Sequence, residues 1–189
     1  MPRIPLVSAE TLTPEQQPVF DAIVGNKHRG NRLPAPYKLA LHSPRFAQIL
    51  QDMGGMMRYE TVLPKHLSEM AIIITGRYWT CQTEWIAHAP IALQNGLSET
   101  VAEDIRNGRR PKFDKPDEEA LYDYCTELHE QKFVSDATHQ RVVEHFGIRG
   151  MIELTGLIGY YTTVAMLLNS QEYPLPDGVS APLQPLAGK

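Results

Sequence analysis

The chain has 189 residues, a formal net charge of −4, and a composition of 42% hydrophobic and 21% charged residues. This length suffices for one domain with a substantial core, and the composition is that of a globular rather than a disordered protein. The acidic balance argues against nucleic acid as a partner. No uninterrupted apolar run approaches the roughly 20 residues that cross a bilayer, so no membrane partner is expected.

The N-terminal segment and the two cysteines indicate the expected cellular location of the protein. The segment that begins Met1-Pro2-Arg3 lacks the apolar block of a secretory signal, so the expected location is cytoplasmic. The two cysteines, Cys81 and Cys125, do not form a disulfide framework in a chain of this size.

The first third of the sequence predicts an extended arm followed by two helices. Residues 1–12 show no periodicity and predict the arm. Thr13 and Gln16 have the spacing of a capping box and start a helix that ends near Gly25. Residues 27–36 predict a loop, and Ser43-Pro44 then opens a helix that runs to about residue 58.

The middle third carries the clearest helical pattern. Apolar residues recur at helical spacing after Pro64, which predicts a helix with one buried face. A second helix is expected from about Thr80 to Gly96, and Pro90 inside it should kink or shorten it.

The remaining sequence predicts four more helices and a proline-containing tail. The predicted helices span about 98–108, 117–131, 135–147 and 149–169, and the tail from Glu172 is expected to be extended. Strand signals are nearly absent. The sequence therefore predicts an all-α fold of six to eight helices in a single domain over 1–189, with a core at about 44–169 and arms at 1–12 and 172–189.

The unusual residues are concentrated around the two middle helices. Cys81, Glu84 and His88 lie at positions i, i+3 and i+7, which share one face of a helix. Glu69 lies on the preceding helix and is able to reach the same cavity. These four residues are the candidate catalytic set.

Their spacing suggests specific roles. Glu84 would orient His88 and raise its basicity, as a proton-transfer site requires. Cys81 in a first helical turn would be favoured as a thiolate, and burial near another carboxylate would raise the pKa of Glu69 and make it a proton donor. The alternative is a solvated polar face, but the apolar neighbours Trp79 and Trp85 argue against it.

The segment Glu69, Cys81-Gln82-Thr83-Glu84-Trp85-Ile86-Ala87-His88 and Gly96-Leu97-Ser98 resembles the carboxymuconolactone decarboxylase family, which shares its fold with alkyl hydroperoxidase D-like proteins. The resemblance covers about residues 44–169. It implies an alkyl hydroperoxidase D-like helical bundle that assembles into trimers or hexamers. Peroxidase-type members of this superfamily carry Cys-x-x-Cys-x-x-x-His, whereas this chain has Glu84 at the position of the second cysteine.

The resemblance therefore implies a decarboxylase or related lyase that acts on a small cyclic lactone acid without a metal or organic cofactor. His88 would be the general acid and base, with Glu84 as its orienting partner and Glu69 as a second proton carrier. Arg77 is the first candidate to bind the substrate carboxylate, and Tyr78 and Trp85 are further candidate substrate-binding residues. Arg45 and Arg58 are alternative cations.

Three alternatives remain open from the sequence. A thiol-dependent peroxidase would use Cys81, although the negative charge of Glu84 opposes thiolate formation. A metal site would use Glu69, Glu84 and His88, with His66 as a nearby fourth ligand. A non-catalytic helical oligomer would retain the motif without using it.

Overall fold

The computed structural model describes residues 1–28 and 30–186, and over these residues the chain is all-helical, as predicted. A short 3₁₀ turn at Ala9–Thr11 precedes eight α-helices. These are α1 (Gln17–Val24), α2 (Ala35–Ala40), α3 (Pro44–Tyr59), α4 (Lys65–Tyr78), α5 (Gln82–Gln94), α6 (Glu99–Arg106), α7 (Pro116–Glu130) and α8 (Asp136–Ser170).

The first two helices show what local sequence signals capture and what they miss. The reciprocal hydrogen bonds of the predicted capping box are present, because the Thr13 N–H donates to Gln16 Oε1 at 2.9 Å and the Gln16 N–H donates to Thr13 Oγ1 at 3.4 Å. They close the turn before the helix, since α1 begins later than predicted, at Gln17, with Gln16 as its N-cap. Helix α2 was not predicted, since Pro34 and Pro36 were interpreted as loop residues. Pro36 instead lies in the first turn of α2, where its missing N–H leaves no hydrogen bond unmade.

Helix α5 begins two residues later than predicted and passes through its proline. Thr80 has a φ of 49°, which is not helical, and Cys81 is the residue that precedes the first helical turn. The helix continues over Pro90 to Gln94, so Pro90 does not shorten it.

Helix α8 is divided at Gly147, where φ is 68° and ψ is 173°. This break separates the two helices that the sequence predicted over 135–147 and 149–169. By length and composition alone, α8 is apolar enough to cross a membrane. Half of its most apolar window is buried inside the protein, as in the core helix of a helical domain, so the membrane signal is weak.

Helix α4 lies at the centre of the core. It packs against α5, α7 and α8, and the side chains of Leu67, Met70 and Ile73 on it are completely buried. The core also includes Tyr37 from α2 and Leu183 from the tail, which lie outside the range 44–169 assigned to it from the sequence.

Both arms are held against the helices. The Arg3 N–H donates to the Gln171 carbonyl at 2.9 Å, and Gln82 exchanges two hydrogen bonds with the backbone of Leu183. Residue 29 of the predicted loop and residues 187–189 of the predicted C-terminal arm lie outside the described residues.

The adjacent glycines of α3 provide a matched stability test. A Cβ on Gly54 would lie 2.2 Å from the Tyr160 hydroxyl oxygen, whereas a Cβ on Gly55 would meet nothing within 4 Å. We expect Gly54→Ala to lower the free energy of unfolding by about 1–3 kcal/mol through overpacking. Gly55→Ala should raise it by about 0.5–1 kcal/mol, because alanine favours the helix. Urea unfolding of both variants measures this, and equal effects at the two positions would contradict the packing at Gly54.

Candidate active site

The candidate site lies between helices α4 and α5, which are joined by the short connection 79–81. Helix α4 contributes Glu69, and α5 contributes Glu84 and His88. All three side chains are buried, with residue exposures of 0%, 4% and 5%. The fold therefore brings two carboxyl groups and one imidazole together away from bulk water.

Glu69 is the close partner of His88. Its Oε2 lies 2.6 Å from His88 Nδ1, and its Oε1 accepts a hydrogen bond from Lys65 Nζ at 2.5 Å. Burial raises the pKa of Glu69, but the hydrogen bonds from His88 and Lys65 outweigh it, so the net pKa is lowered. Since an ionised carboxylate only accepts hydrogen bonds, His88 Nδ1 carries the proton and Nε2 is the nitrogen left for chemistry.

Glu84 lies on the other side of the imidazole. Its Oε2 is 3.5 Å from His88 Nε2 and has no hydrogen-bond partner. Burial raises the pKa of Glu84, and the positive charges of His88 and Arg58 offset this only in part. The roles expected from the sequence are therefore exchanged: Glu69 orients the ring as an anion, and Glu84 is the carboxyl group that burial favours in its protonated form.

Cys81 lies beside this set but is not a favoured thiolate. Burial, followed by the charge of Glu84, raises the pKa of Cys81 to about 12. The backbone amides of Glu84 and Thr83 lower this pKa by less than burial raises it, which corrects the expectation of thiolate stabilisation in a first helical turn.

A cavity of about 140 Å³ opens beside His88 and Glu84. Arg58 of α3 also lines it, and the Arg58 Nε atom is buried without a hydrogen-bond partner. Three tyrosine side chains, two prolines and several aliphatic groups complete the wall. Among the described residues, the cavity thus combines one cation, one protonatable carboxyl group and one imidazole ring in mainly apolar surroundings.

The residues predicted to bind substrate lie elsewhere. Arg77 and Tyr78 line a different cavity, which shares no lining residue with the one beside His88. They lie at the end of α4, two turns beyond Glu69. Although they are close to Cys81 in sequence, their side chains do not line the cavity beside His88. Trp85 is buried in the hydrophobic core and is not among the described residues that line the His88 cavity. Arg58, an alternative cation from the sequence, is the arginine among the described residues that lines the His88 cavity.

Several site residues were not predicted. Lys65 was overlooked, although it precedes Glu69 by four residues and therefore shares its helix face. The tyrosines of the cavity, Tyr37, Tyr160 and Tyr161, come from α2 and α8. The Tyr161 ring meets the His88 ring edge to face at 5.0 Å, a contact between distant segments that no local pattern reveals.

The geometry gives no support to the metal alternative. His66, the suggested fourth ligand, lies 3.8 Å from Glu118 of α7. Over residues 1–28 and 30–186, no group of three or more histidine, cysteine, aspartate or glutamate side chains is arranged to hold a metal ion.

Comparison with known proteins shows which solved structures share this helical architecture. No family model matches the chain, and no curated protein matches it in sequence. Among solved structures, an uncharacterized peroxidase-related protein from Ralstonia eutropha JMP134, described as an alkylhydroperoxidase AhpD core, superposes with a TM-score of 0.76 at 16% identity over 93% of both chains. The chain has the AhpD-like fold.

Two further structures support this assignment. A peroxidase-related protein from Silicibacter sp. TM1040 has a TM-score of 0.73 at 16% identity and covers 94% of this chain and 92% of its own. The debrominase Bmp8 has a TM-score of 0.68 at 13% identity, with coverages of 94% and 92%. At these identities the likeness establishes the AhpD-like fold, a fold that enzymes of different reactions share.

Proposed function

We propose that this AhpD-like protein is a cofactor-free decarboxylase of a small cyclic carboxylic acid, with His88 as the proton donor. The proposal depends on one observation: Glu69 Oε2 lies 2.6 Å from His88 Nδ1, and His88 lines a cavity that Arg58 also lines. A carboxylate–imidazole pair of this kind stabilises the imidazolium ion.

Arg58 suits the charge of such a substrate. Its buried Nε lacks a hydrogen-bond partner, so an entering carboxylate would satisfy it. In a cavity of about 140 Å³, the guanidinium remains close to the negative charge when that charge moves from the carboxylate to a ring carbonyl oxygen. The small volume and the tyrosine-rich wall favour a single ring.

The reaction itself follows from these positions. The bond between the ring carbon and the carboxylate breaks, and carbon dioxide leaves. The electron pair passes to the ring carbon and its conjugated carbonyl group, and the proton on His88 Nε2 is transferred to that carbon. Glu84, whose pKa is raised by burial, is the neighbouring group able to return a proton to His88.

A thiol-dependent peroxidase is the second candidate. The debrominase Bmp8 has also been solved as a variant in which alanine replaces one cysteine, in complex with 2,3,4-tribromopyrrole. This protein of the same fold therefore binds a small ring compound in a structure for which a cysteine was replaced. In the present chain Cys81 is 1% exposed and its pKa is about 12, so thiolate chemistry at neutral pH is disfavoured. Cys125 is also fully buried and offers no accessible resolving thiol.

The two candidates differ in their dependence on Cys81. With a γ-lactone carboxylic acid as the probe, we expect the native protein to release carbon dioxide and Cys81→Ser to retain that activity within about threefold, because a thiol with a pKa of about 12 is neither charged nor an effective proton donor near neutral pH. Headspace or coupled measurement of carbon dioxide checks this.

Hydrogen peroxide and an alkyl hydroperoxide, assayed with a dithiol reductant, form the second arm. Peroxide turnover that disappears in Cys81→Ser, together with no release of carbon dioxide from any lactone acid, would overturn the decarboxylase and favour the peroxidase.

A further inference from the structure

A second cavity, larger than the one beside His88, lies between α4, α6, α7 and the C-terminal arm. Its volume is about 390 Å³. Arg77 and Tyr78 of α4, together with Tyr122 and His129 of α7, line it. None of these residues has a part in the proposed decarboxylation.

Arg77 is a buried cation that forms no ion pair within the part of the chain that the structure describes. The residue is 4% exposed, and its guanidinium donates to the Arg106 carbonyl at 3.3 Å and to Thr80 Oγ1 at 3.0 Å. Its Nε is buried and makes no hydrogen bond, and no carboxylate in 1–28 or 30–186 forms an ion pair with it. A buried charge left in this state is destabilising, and an anion in the cavity would relieve it.

The neighbouring wall is aromatic. The rings of Tyr78 and His129 stack with centroids 4.5 Å apart and planes 14° from parallel. A hydrogen bond of 3.1 Å between His129 Nε2 and Thr75 Oγ1 fixes the imidazole, and Lys132 Nζ donates to the Tyr78 hydroxyl. Flat side chains that are held in place favour a flat ligand, because little side-chain entropy is lost on binding.

The charge at the cavity limits the charge of the ligand. The exposed Glu130 also lines the cavity, so its carboxylate opposes a doubly charged ligand such as a phosphate. Glu130 is exposed and its charge is screened by solvent, so the one buried charge of the cavity is the Arg77 guanidinium, which a single carboxylate group matches.

We propose that this second cavity binds a planar organic monocarboxylate, with its carboxylate on Arg77 and its ring beside Tyr78 and His129. The site is separate from the His88 cavity and does not depend on the reaction proposed there, since the two cavities share no lining residue.

Benzoate is the probe, and calorimetric titration is the measurement. Because benzoate is also a small ring acid that fits the His88 cavity, the titrations use the Arg58→Gln protein, which lacks the cation of that cavity. We expect this protein to bind one benzoate, and the added substitution Arg77→Gln to weaken binding by about tenfold or more, the loss of a charge-assisted hydrogen bond.

Thr126→Phe is the second variant, because Thr126 lines the cavity and its replacement fills space without removing charge. Thr126→Phe should also weaken benzoate binding. If Arg77→Gln does not fold, the affinity of Thr126→Phe for benzoate tests whether the ligand binds in this cavity. Cyclohexanecarboxylate, which is not planar, and inorganic phosphate should bind more weakly than benzoate. The proposal is overturned if Arg58→Gln does not bind benzoate, if neither cavity variant changes its affinity, or if phosphate binds as tightly.

Discussion

His88→Ala is expected to reduce the rate of carbon dioxide release by about 10²- to 10⁴-fold, the range that a positioned general acid contributes. The substitution removes the Nε2 proton donor and leaves the cavity and Arg58 in place. The effect should therefore appear in kcat, while KM changes little, because the cation that binds the acid is retained.

His139→Ala is the matched control, since His139 is an exposed histidine of α8 outside the cavity. It should retain native kcat and KM. Circular dichroism and thermal unfolding show whether His88→Ala is folded. A folded His88→Ala protein with native kcat would refute the assignment of His88 as the proton donor.

The two buried carboxyl groups are expected to have opposite effects on stability near pH 7. Glu69 bridges Lys65 and His88, so Glu69→Gln removes a buried carboxylate that accepts two hydrogen bonds and should lower the free energy of unfolding by about 1–3 kcal/mol. Glu84→Gln should instead raise it, because the glutamine resembles the neutral carboxyl group that burial favours and cannot ionise.

The pH dependence follows from the direction of each pKa shift. Burial opposes ionisation of Glu69, but His88 and Lys65 lower its folded pKa overall, so its stabilisation is present above the unfolded pKa of about 4.3 and is lost as pH falls through the folded pKa. Burial raises the folded pKa of Glu84, so the unfolded chain loses this proton first and stability falls as pH rises between the two values.

Urea unfolding of the native protein and both variants between about pH 3 and pH 8 measures these effects, because the Glu69 contribution changes only below the unfolded pKa of about 4.3. The destabilisation in Glu69→Gln should shrink toward low pH, and the advantage of Glu84→Gln should grow toward high pH. If both variants are destabilised equally at every pH, the two carboxyl groups do not differ in ionisation as the geometry requires.

Local sequence signals were sufficient to predict most of the fold. Helical spacing of apolar residues predicted α4, and the Thr13–Gln16 capping box and the Gly147 break appear where the sequence placed them. These features depend on hydrogen bonds and backbone angles within a few residues of each other. Helix α2 was not predicted, because its prolines are equally compatible with a loop and with a first helical turn.

Of the candidate site, the sequence predicted the acid–imidazole set of Glu69, Glu84 and His88 but not its internal arrangement or its other members. The spacing within α5 predicted that Glu84 and His88 share a face, and they do. That Glu69 rather than Glu84 makes the close contact to His88 was decided by how α4 packs on α5, because a distance of 2.6 Å between helices depends on their relative rotation and not on residue spacing.

The cation of the site and the second cavity were decided by tertiary structure alone. Arg58 and Arg77 both lie near the ends of helices, and the sequence offers no means to choose between them. Packing of α3 against α8 directs Arg58 to the His88 cavity, while packing of α4 against α6 and α7 encloses Arg77. Sequence alone determined an all-helical chain and the common face of Glu84 and His88 on α5, since both follow from local periodicity. Which charges surround each cavity follows from contacts between distant helices, which local periodicity does not encode.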